Sequence, residues 1–185
     1  MDSKKDLTKE LLADCFHELL LTMPFDKITI KTITDRAGLI RPTFYKHFQD
    51  KYEVLEWIFQ TDISDGTRTL IQNGRAYDAV VLLVKGLEKD KDFYRKALTI
   101  DGPNSFLEIL KKDVYASFLK IAGLYSVKIK ETIPILTDAR IASFYTNGLV
   151  STIYDWLKSG CYCSADDLCR AYQYLMMHSA VDLIS

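Results

Sequence analysis

Very little in this chain interrupts a helix. Eight glycines and four prolines serve 185 residues, about half the share of an average globular chain. A sandwich or barrel of this length needs turn residues every 8–12 positions or so, so the sequence predicts an all-α protein. Leu7, Leu11, Leu12, Cys15, Phe16, Leu19 and Leu20 recur at helical spacing and predict a helix over 7–22, ended by Met23-Pro24-Phe25-Asp26. Thr29 is the right type to cap a short helix over 30–37, with Ile30, Ile33 and Ala37 on one face. Gly38 supplies its C-terminal turn. A second short helix is expected over about 42–48, where Pro42 suits the first helical position and Arg41 is a candidate cap.

Asp50-Lys51-Tyr52-Glu53 resembles a capping box that opens a helix through about 63. Beyond Gly66, apolar periodicity covers roughly 76–88, 91–100, 105–122, 138–158 and 165–184. Ser105 and Ser164 each stand three residues before an acidic residue, as helix starts do. Gly102-Pro103 and Ser159-Gly160 are the breaks, and 121–135 is the least periodic stretch.

Hydrophobic residues make up 48% and charged residues 26% of the chain, which excludes wholesale disorder. The longest uninterrupted apolar run, 79–84, falls far short of a membrane span. The charged N-terminus leads into an amphipathic pattern rather than a secretion signal. Four cysteines, three of them crowded at Cys161, Cys163 and Cys169, do not form a disulfide framework. The chain reads as cytoplasmic, reduced and free of the membrane.

Its net charge of −1 hides an asymmetry. Within residues 27–51, Lys27, Lys31, Arg36, Arg41, Lys46 and Lys51 face only Asp35 and Asp50. A basic island in a mildly acidic chain is the footprint of polyanion binding. Two short helices joined by a glycine turn, the second carrying basic, hydroxyl and aromatic side chains, form a helix-turn-helix. Phe44 and Phe48, one turn apart, are expected to face the core, leaving Thr43, Tyr45, Lys46 and His47 largely outward.

Thr29-Ile30-Lys31-Thr32-Ile33, then Ala37-Gly38-Leu39, then Thr43-Phe44-Tyr45-Lys46-His47-Phe48, and Asp50-Lys51 closely resemble the DNA-binding domain of TetR-family transcriptional regulators. The match covers about residues 7–55. Ile40 and Thr34 depart from it, standing where the family usually has a small hydroxyl residue and Ala. Ile40 costs about 1 kcal/mol of cap stability relative to Ser. Lys91-Asp92-Phe93-Tyr94-Arg95-Lys96-Ala97 and Asp101-Gly102-Pro103-Asn104-Ser105-Phe106 resemble the C-terminal domain of the subgroup named for dihydroxyacetone kinase regulators.

The resemblance implies an N-terminal three-helix helix-turn-helix domain over 1–50. A helical ligand-binding and dimerisation domain follows over 51–185, with 51–63 as the connecting helix. The implied protein is a homodimer on a double-stranded DNA operator, acting as a repressor released by an unknown small-molecule effector. Thr29, Arg41, Pro42, Thr43, Tyr45, Lys46, His47 and Lys51 are the DNA-binding candidates, Lys46 and Lys51 toward phosphates. The alternative is a co-regulator of the same fold that acts through a protein partner without reading DNA itself.

Further expectations concern the C-terminal half. Ile141, Phe144, Tyr145, Leu149, Ile153 and Trp156, with Leu168, Tyr172, Leu175, Met176 and Val181, are expected to build the dimer bundle. Trp57, Ile58 and Phe59 are expected to press the connecting helix against the C-terminal domain, and His17 to be structural. The remaining aromatics (Phe93, Tyr94, Phe106, Tyr115, Phe118, Tyr125 and Tyr154) read first as core, with Tyr145 or Asn147 as polar ligand contacts. Cys161, Cys163, Cys169 and His178 lack zinc-site spacing, so free thiols are favoured over metal or redox sensing and no cofactor is expected. No phosphate loop, nucleophile elbow or zinc-protease motif is present, so the chain is not read as an enzyme.

Overall fold

The computed structural model describes residues 3–125, 133–178 and 182. Among them are ten α-helices and no strand. α1 (Ser3–Thr22), α2 (Ile30–Arg36) and α3 (Arg41–Tyr45) form the N-terminal unit. Leu12, Phe16 and Leu20 of α1 share a fully buried core with Ile33, Phe44 and Phe48.

α4 (Lys51–Phe59) does not stop near residue 63. It passes through a π-helical turn, Gln60–Ser64, directly into α5 (Asp65–Gln72). Gly66 therefore lies inside a continuing helix. A Cβ there would lie 2.7 Å from Leu82 Cδ2 on the facing helix α6 (Ala76–Lys89), and a Cβ at Gly86 of α6 would lie 2.7 Å from Ile63 Cγ1. Both glycines allow two backbones to approach closely. The break comes at Asn73-Gly74, where Gly74 adopts φ +73°.

α7 (Lys91–Ala97), α8 (Phe106–Tyr125), α9 (Asp138–Lys158) and α10 (Ala165–Met177) complete the fold. Thr137 and Ser164 cap α9 and α10, and Glu88 Oε1 also accepts from the Ala165 N–H at 2.8 Å. Buried Phe59 meets Phe106 at 5.6 Å between ring centroids, and Tyr94 meets Phe106 at 5.0 Å, which packs α4 against α7 and α8. Trp57 turns the other way. Its ring meets Phe48 at 6.0 Å and lies 5.3 Å from Lys9 Nζ, so it packs on the N-terminal unit, contrary to the expectation. His17 of α1 stacks on Phe93 at 4.4 Å, and its Nε2 lies 2.5 Å from Asp90 Oδ2.

The expected dimer face divides in two. Leu149, Ile153, Trp156 and Leu168 are buried within the chain's own core, where the Trp156 indole N–H donates to the Cys163 carbonyl at 2.9 Å. Phe144, 74% exposed, and Tyr174, Leu175, Met176 and Met177 remain on the outside. A helix of α9's length has two sides, and only one of them meets α8. Val181 and the side chain of Tyr125 lie outside the described residues. No helix among the described residues is long and apolar enough to cross a membrane.

Candidate nucleic-acid interface

Local hydrogen bonding sets the two short helices. Thr29 Oγ1 accepts from the Thr32 N–H at 3.1 Å while Thr32 Oγ1 accepts from the Thr29 N–H at 2.9 Å, a reciprocal cap on α2. Gly38, at φ +66°, turns the chain so that the Leu39 N–H reaches the Thr34 carbonyl at 2.9 Å. The Thr34 hydroxyl, in a buried position, is satisfied by donating to the Ile30 carbonyl at 3.0 Å. α3 then begins at Arg41, one residue earlier than expected. Ile40 rather than Arg41 is its cap, and no side chain bonds the helix start. The helix ends at Tyr45, and the turn carrying His47 and Phe48 is closed by their N–H groups on the Phe44 carbonyl, both at 2.9 Å.

This frame sorts the side chains. Phe44 and Phe48 are buried. Thr29, Arg41, Pro42, Tyr45 and Lys46 are exposed, and Thr43 and His47 are half-buried. Within the basic island, Lys31 pairs with Asp35 and Arg36 with Glu18, the latter at 2.7 Å from Nε. The side chains of Lys27, Arg41 and Lys46 make no hydrogen bond or ion pair among the described residues. Lys27 was absent from the expected set. Its position in the turn Phe25–Lys27, beside α2, supplies a third unpaired cation.

Lys51 points elsewhere. Its ammonium donates to the Phe25 carbonyl at 2.7 Å and the Ile28 carbonyl at 2.9 Å, and it lies 3.9 Å from the centre of the Phe25 ring. Burial pushes its pKa below the usual lysine value. Two of its three N–H bonds thus tie the start of α4 to the turn before α2. Asp50 caps α4 by accepting from the N–H groups of Tyr52 and Glu53 at 2.8 and 2.9 Å.

A cavity of about 240 Å³ lies among α5, α6, α8, α9 and α10, walled mainly by Ile71, Val80, Leu83, Val114, Phe118 and Leu149. Neither Asn147 nor Tyr145 lines it: Asn147 is exposed, and Tyr145 stacks on Phe118 at 5.7 Å. Tyr172 and Asp113 do line it, and neither was singled out for this purpose. Burial pushes the thiols of Cys161, Cys163 and Cys169 up, Cys169 to about 11, so little reactive thiolate forms at neutral pH. Among the described residues no three His, Cys, Asp or Glu side chains converge as metal ligands do.

Comparison with known proteins gives this geometry its context. Residues 75–178 match the model described as transcriptional regulator C-terminal region, of the TetR type, and residues 17–58 match that of the bacterial regulatory proteins of the tetR family. The chain belongs to the TetR family. It is a transcriptional regulator with a helix-turn-helix, and the family is one of regulators rather than enzymes. The chain is 30% identical over 102 residues to the HTH-type dhaKLM operon transcriptional activator DhaS of Lactococcus lactis subsp. lactis (strain IL1403). That alignment takes in 53% of this chain and spans about half of the relative, 52% of its length.

Solved structures share the fold over nearly the whole chain. The dihydroxyacetone kinase operon activator DhaS superposes with a TM-score of 0.66 at 21% identity, covering 96% of this chain and 97% of that one. NalD of Pseudomonas aeruginosa, the secondary repressor of the MexAB-OprM multidrug efflux pump, gives 0.68 at 18%, covering 93% and 95%. The fatty acid degradation regulator FadR of Bacillus halodurans gives 0.67 at 16%, covering 94% and 96%.

Proposed function

We propose that the chain is a homodimeric, sequence-specific repressor that leaves its double-stranded DNA operator when a small molecule fills the C-terminal cavity. The observation that carries this reading is the outer face of α3, where exposed Arg41 and Lys46 have no partner within the described residues. A helix fits the major groove and its first residues meet base edges. Arg41, Pro42 and Thr43 are in that place. Tyr45, Lys46, His47 and Thr29 serve the backbone, and Lys51 holds the unit together from behind.

Residues 1–50 then form the reading domain and 51–185 the sensing and pairing domain. The exposed apolar face of α9 and α10 supplies the dimer contact, since two half-sites about 34–36 Å apart require two recognition helices in one rigid unit. Ligand acts by population shift: it favours a dimer geometry whose helices no longer match that spacing.

The names of the relatives point both ways on the sign of control, DhaS being an activator and NalD a repressor. A reporter fused to the regulated promoter decides between them: expression rises on deletion of a repressor and falls on deletion of an activator. The main test is a mobility-shift assay with DNA flanking the chain's own gene. Retardation of a specific fragment, lost in the Arg41→Ala/Lys46→Ala double variant, supports the reading. A folded dimer that retards no such fragment overturns it and favours the protein-partner alternative.

A further inference from the structure

The wall of the C-terminal cavity carries information about what can enter it. Among the described residues no Lys, Arg or His stands in it, and the one charged residue there, Asp113, is engaged: Oδ1 accepts from Ser64 Oγ at 2.6 Å and from the Arg68 guanidinium at 2.8 Å. The Thr67 hydroxyl also has a partner, donating to the Ser64 carbonyl at 2.8 Å. Tyr172 differs. It lines the cavity, and its hydroxyl is buried with no hydrogen-bond partner among the described residues. A buried hydroxyl without a partner carries an uncompensated desolvation cost.

We propose that this cavity takes a neutral, predominantly apolar molecule of on the order of ten non-hydrogen atoms, held in one orientation by a hydrogen bond from the Tyr172 hydroxyl. The inference rests on the reading of residues 51–185 as the sensing domain and names the ligand class. Size follows from volume: an apolar cavity of about 150 Å³ takes up benzene, and this one is larger at about 240 Å³. Charge follows from the wall. An organic anion meets no cation among the described residues of the wall, and a cation meets a carboxylate already paired with Arg68. A polyol would leave several hydroxyls desolvated against Val80, Leu83, Val114 and Phe118. Burial pushes the Tyr172 phenol up to about 12. It stays protonated at neutral pH and is a donor, so a carbonyl or ether oxygen is the matching group.

The test titrates the full-length protein with four probes, butyrophenone, butylbenzene, phenylbutyrate and glycerol, by calorimetry and thermal unfolding. Butyrophenone is expected to bind and raise the unfolding midpoint, and butylbenzene to bind about tenfold more weakly. Phenylbutyrate and glycerol are expected to leave the midpoint where it was. Tyr172→Phe should erase the preference for the ketone while keeping butylbenzene binding. Ser117→Phe and, independently, Val80→Phe should fill the cavity and abolish both.

Glycerol or phenylbutyrate binding as tightly as the ketone overturns the proposal. So does ketone binding that survives both filling variants, or a ketone preference unchanged by Tyr172→Phe. Binding is read without DNA. A protein that takes butyrophenone yet shifts no operator fragment supports this inference and overturns the DNA-binding reading.

Discussion

The hydroxyl of Ser64 donates to Asp113 Oδ1 at 2.6 Å, and that bond holds a π-helical turn against the wall of the cavity. π-turns inside α-helices occur often at functional sites, and this one joins the helix that meets the N-terminal unit to the helix that walls the cavity. Removing the carboxylate in Asp113→Ala leaves fully buried Ser64 without its acceptor and Arg68 without its nearer partner. We expect a loss of about 1–3 kcal/mol in urea unfolding. The same variant should retain operator binding but lose most of its response to effector. A full response in a destabilised Asp113→Ala protein would place the coupling elsewhere.

Lysines 46 and 51 should behave differently on DNA. Lys46 is exposed and unpaired, so Lys46→Ala should reduce the salt slope of binding by about 1 per half-site. Lys51 donates inward to two carbonyls. Lys51→Met should cost stability, about 1.5–3 kcal/mol for hydrogen bonds from a charged donor, and leave the slope nearly unchanged. Salt titration of both variants on one operator fragment checks this, and a slope lowered equally by both would put Lys51 on phosphate.

Trp57 and Phe59 lie two positions apart and serve opposite partners. With Trp156 replaced by Phe, Trp57 emission should change on operator addition, because its ring packs on Phe48 and under Lys9. Filling the cavity without DNA should change it less than operator does, because the ring packs on the N-terminal unit and does not line the cavity. Phe59, packed on Tyr94 and Phe106, is the better uncoupling site. Phe59→Ala should lower stability by about 3–5 kcal/mol and blunt the effector response.

Alkaline pH offers a separate check on packing. Burial, followed by the nearby Asp166 carboxylate, pushes the Cys169 thiol from the ordinary value of 9.0 to about 11. The unfolded chain therefore releases this proton first. Its contribution to stability is fully present below about pH 9 and is lost as pH rises toward 11. Urea midpoints measured across that window should fall more steeply for wild type than for Cys169→Ala.

Assembly is testable at the outer face of α9. Phe144 is 74% exposed, beside Tyr174, Leu175, Met176 and Met177 on α10. Phe144→Lys should shift sedimentation at micromolar concentration from dimer toward monomer and weaken operator binding in parallel. Leu149→Ala, on the buried side of the same helix, should instead cost about 2–5 kcal/mol of unfolding stability.

Where side chains supply their own caps, the sequence was enough to place the helices. α2 starts after Thr29 and α10 after Ser164 because each hydroxyl accepts a specific N–H. The start of α3 was misplaced by one residue because Ile40 offers no side-chain cap, and its position depends on the turn from Gly38. The inward turn of Lys51 was invisible because its acceptors are backbone carbonyls of Phe25 and Ile28, which look the same under any side chain. The continuation of the connecting helix beyond residue 63 was not legible, because the reason for Gly66 lies on another helix, at Leu82. The cavity lay beyond reach for the same cause: its wall is drawn from five helices, and no local pattern distinguishes a lining aromatic from a core one.

The two glycines of α5 and α6 have a mechanical consequence. Leu82 fills the notch at Gly66 and Ile63 fills the notch at Gly86, each tooth within 2.7 Å of where a Cβ would stand. Helices meshed at two points along their length cannot slip past each other, and sliding is the motion that would let a filling cavity relax quietly. The motion the proposed ligand mechanism would use is a common tilt of the meshed pair, with α4 carried along because the π-turn is part of the same rod. On that mechanism the module works as a gear train with no backlash: a small molecule pressing on one wall would displace the far end of the rod, where Lys51 ties the start of α4 to the turn before α2.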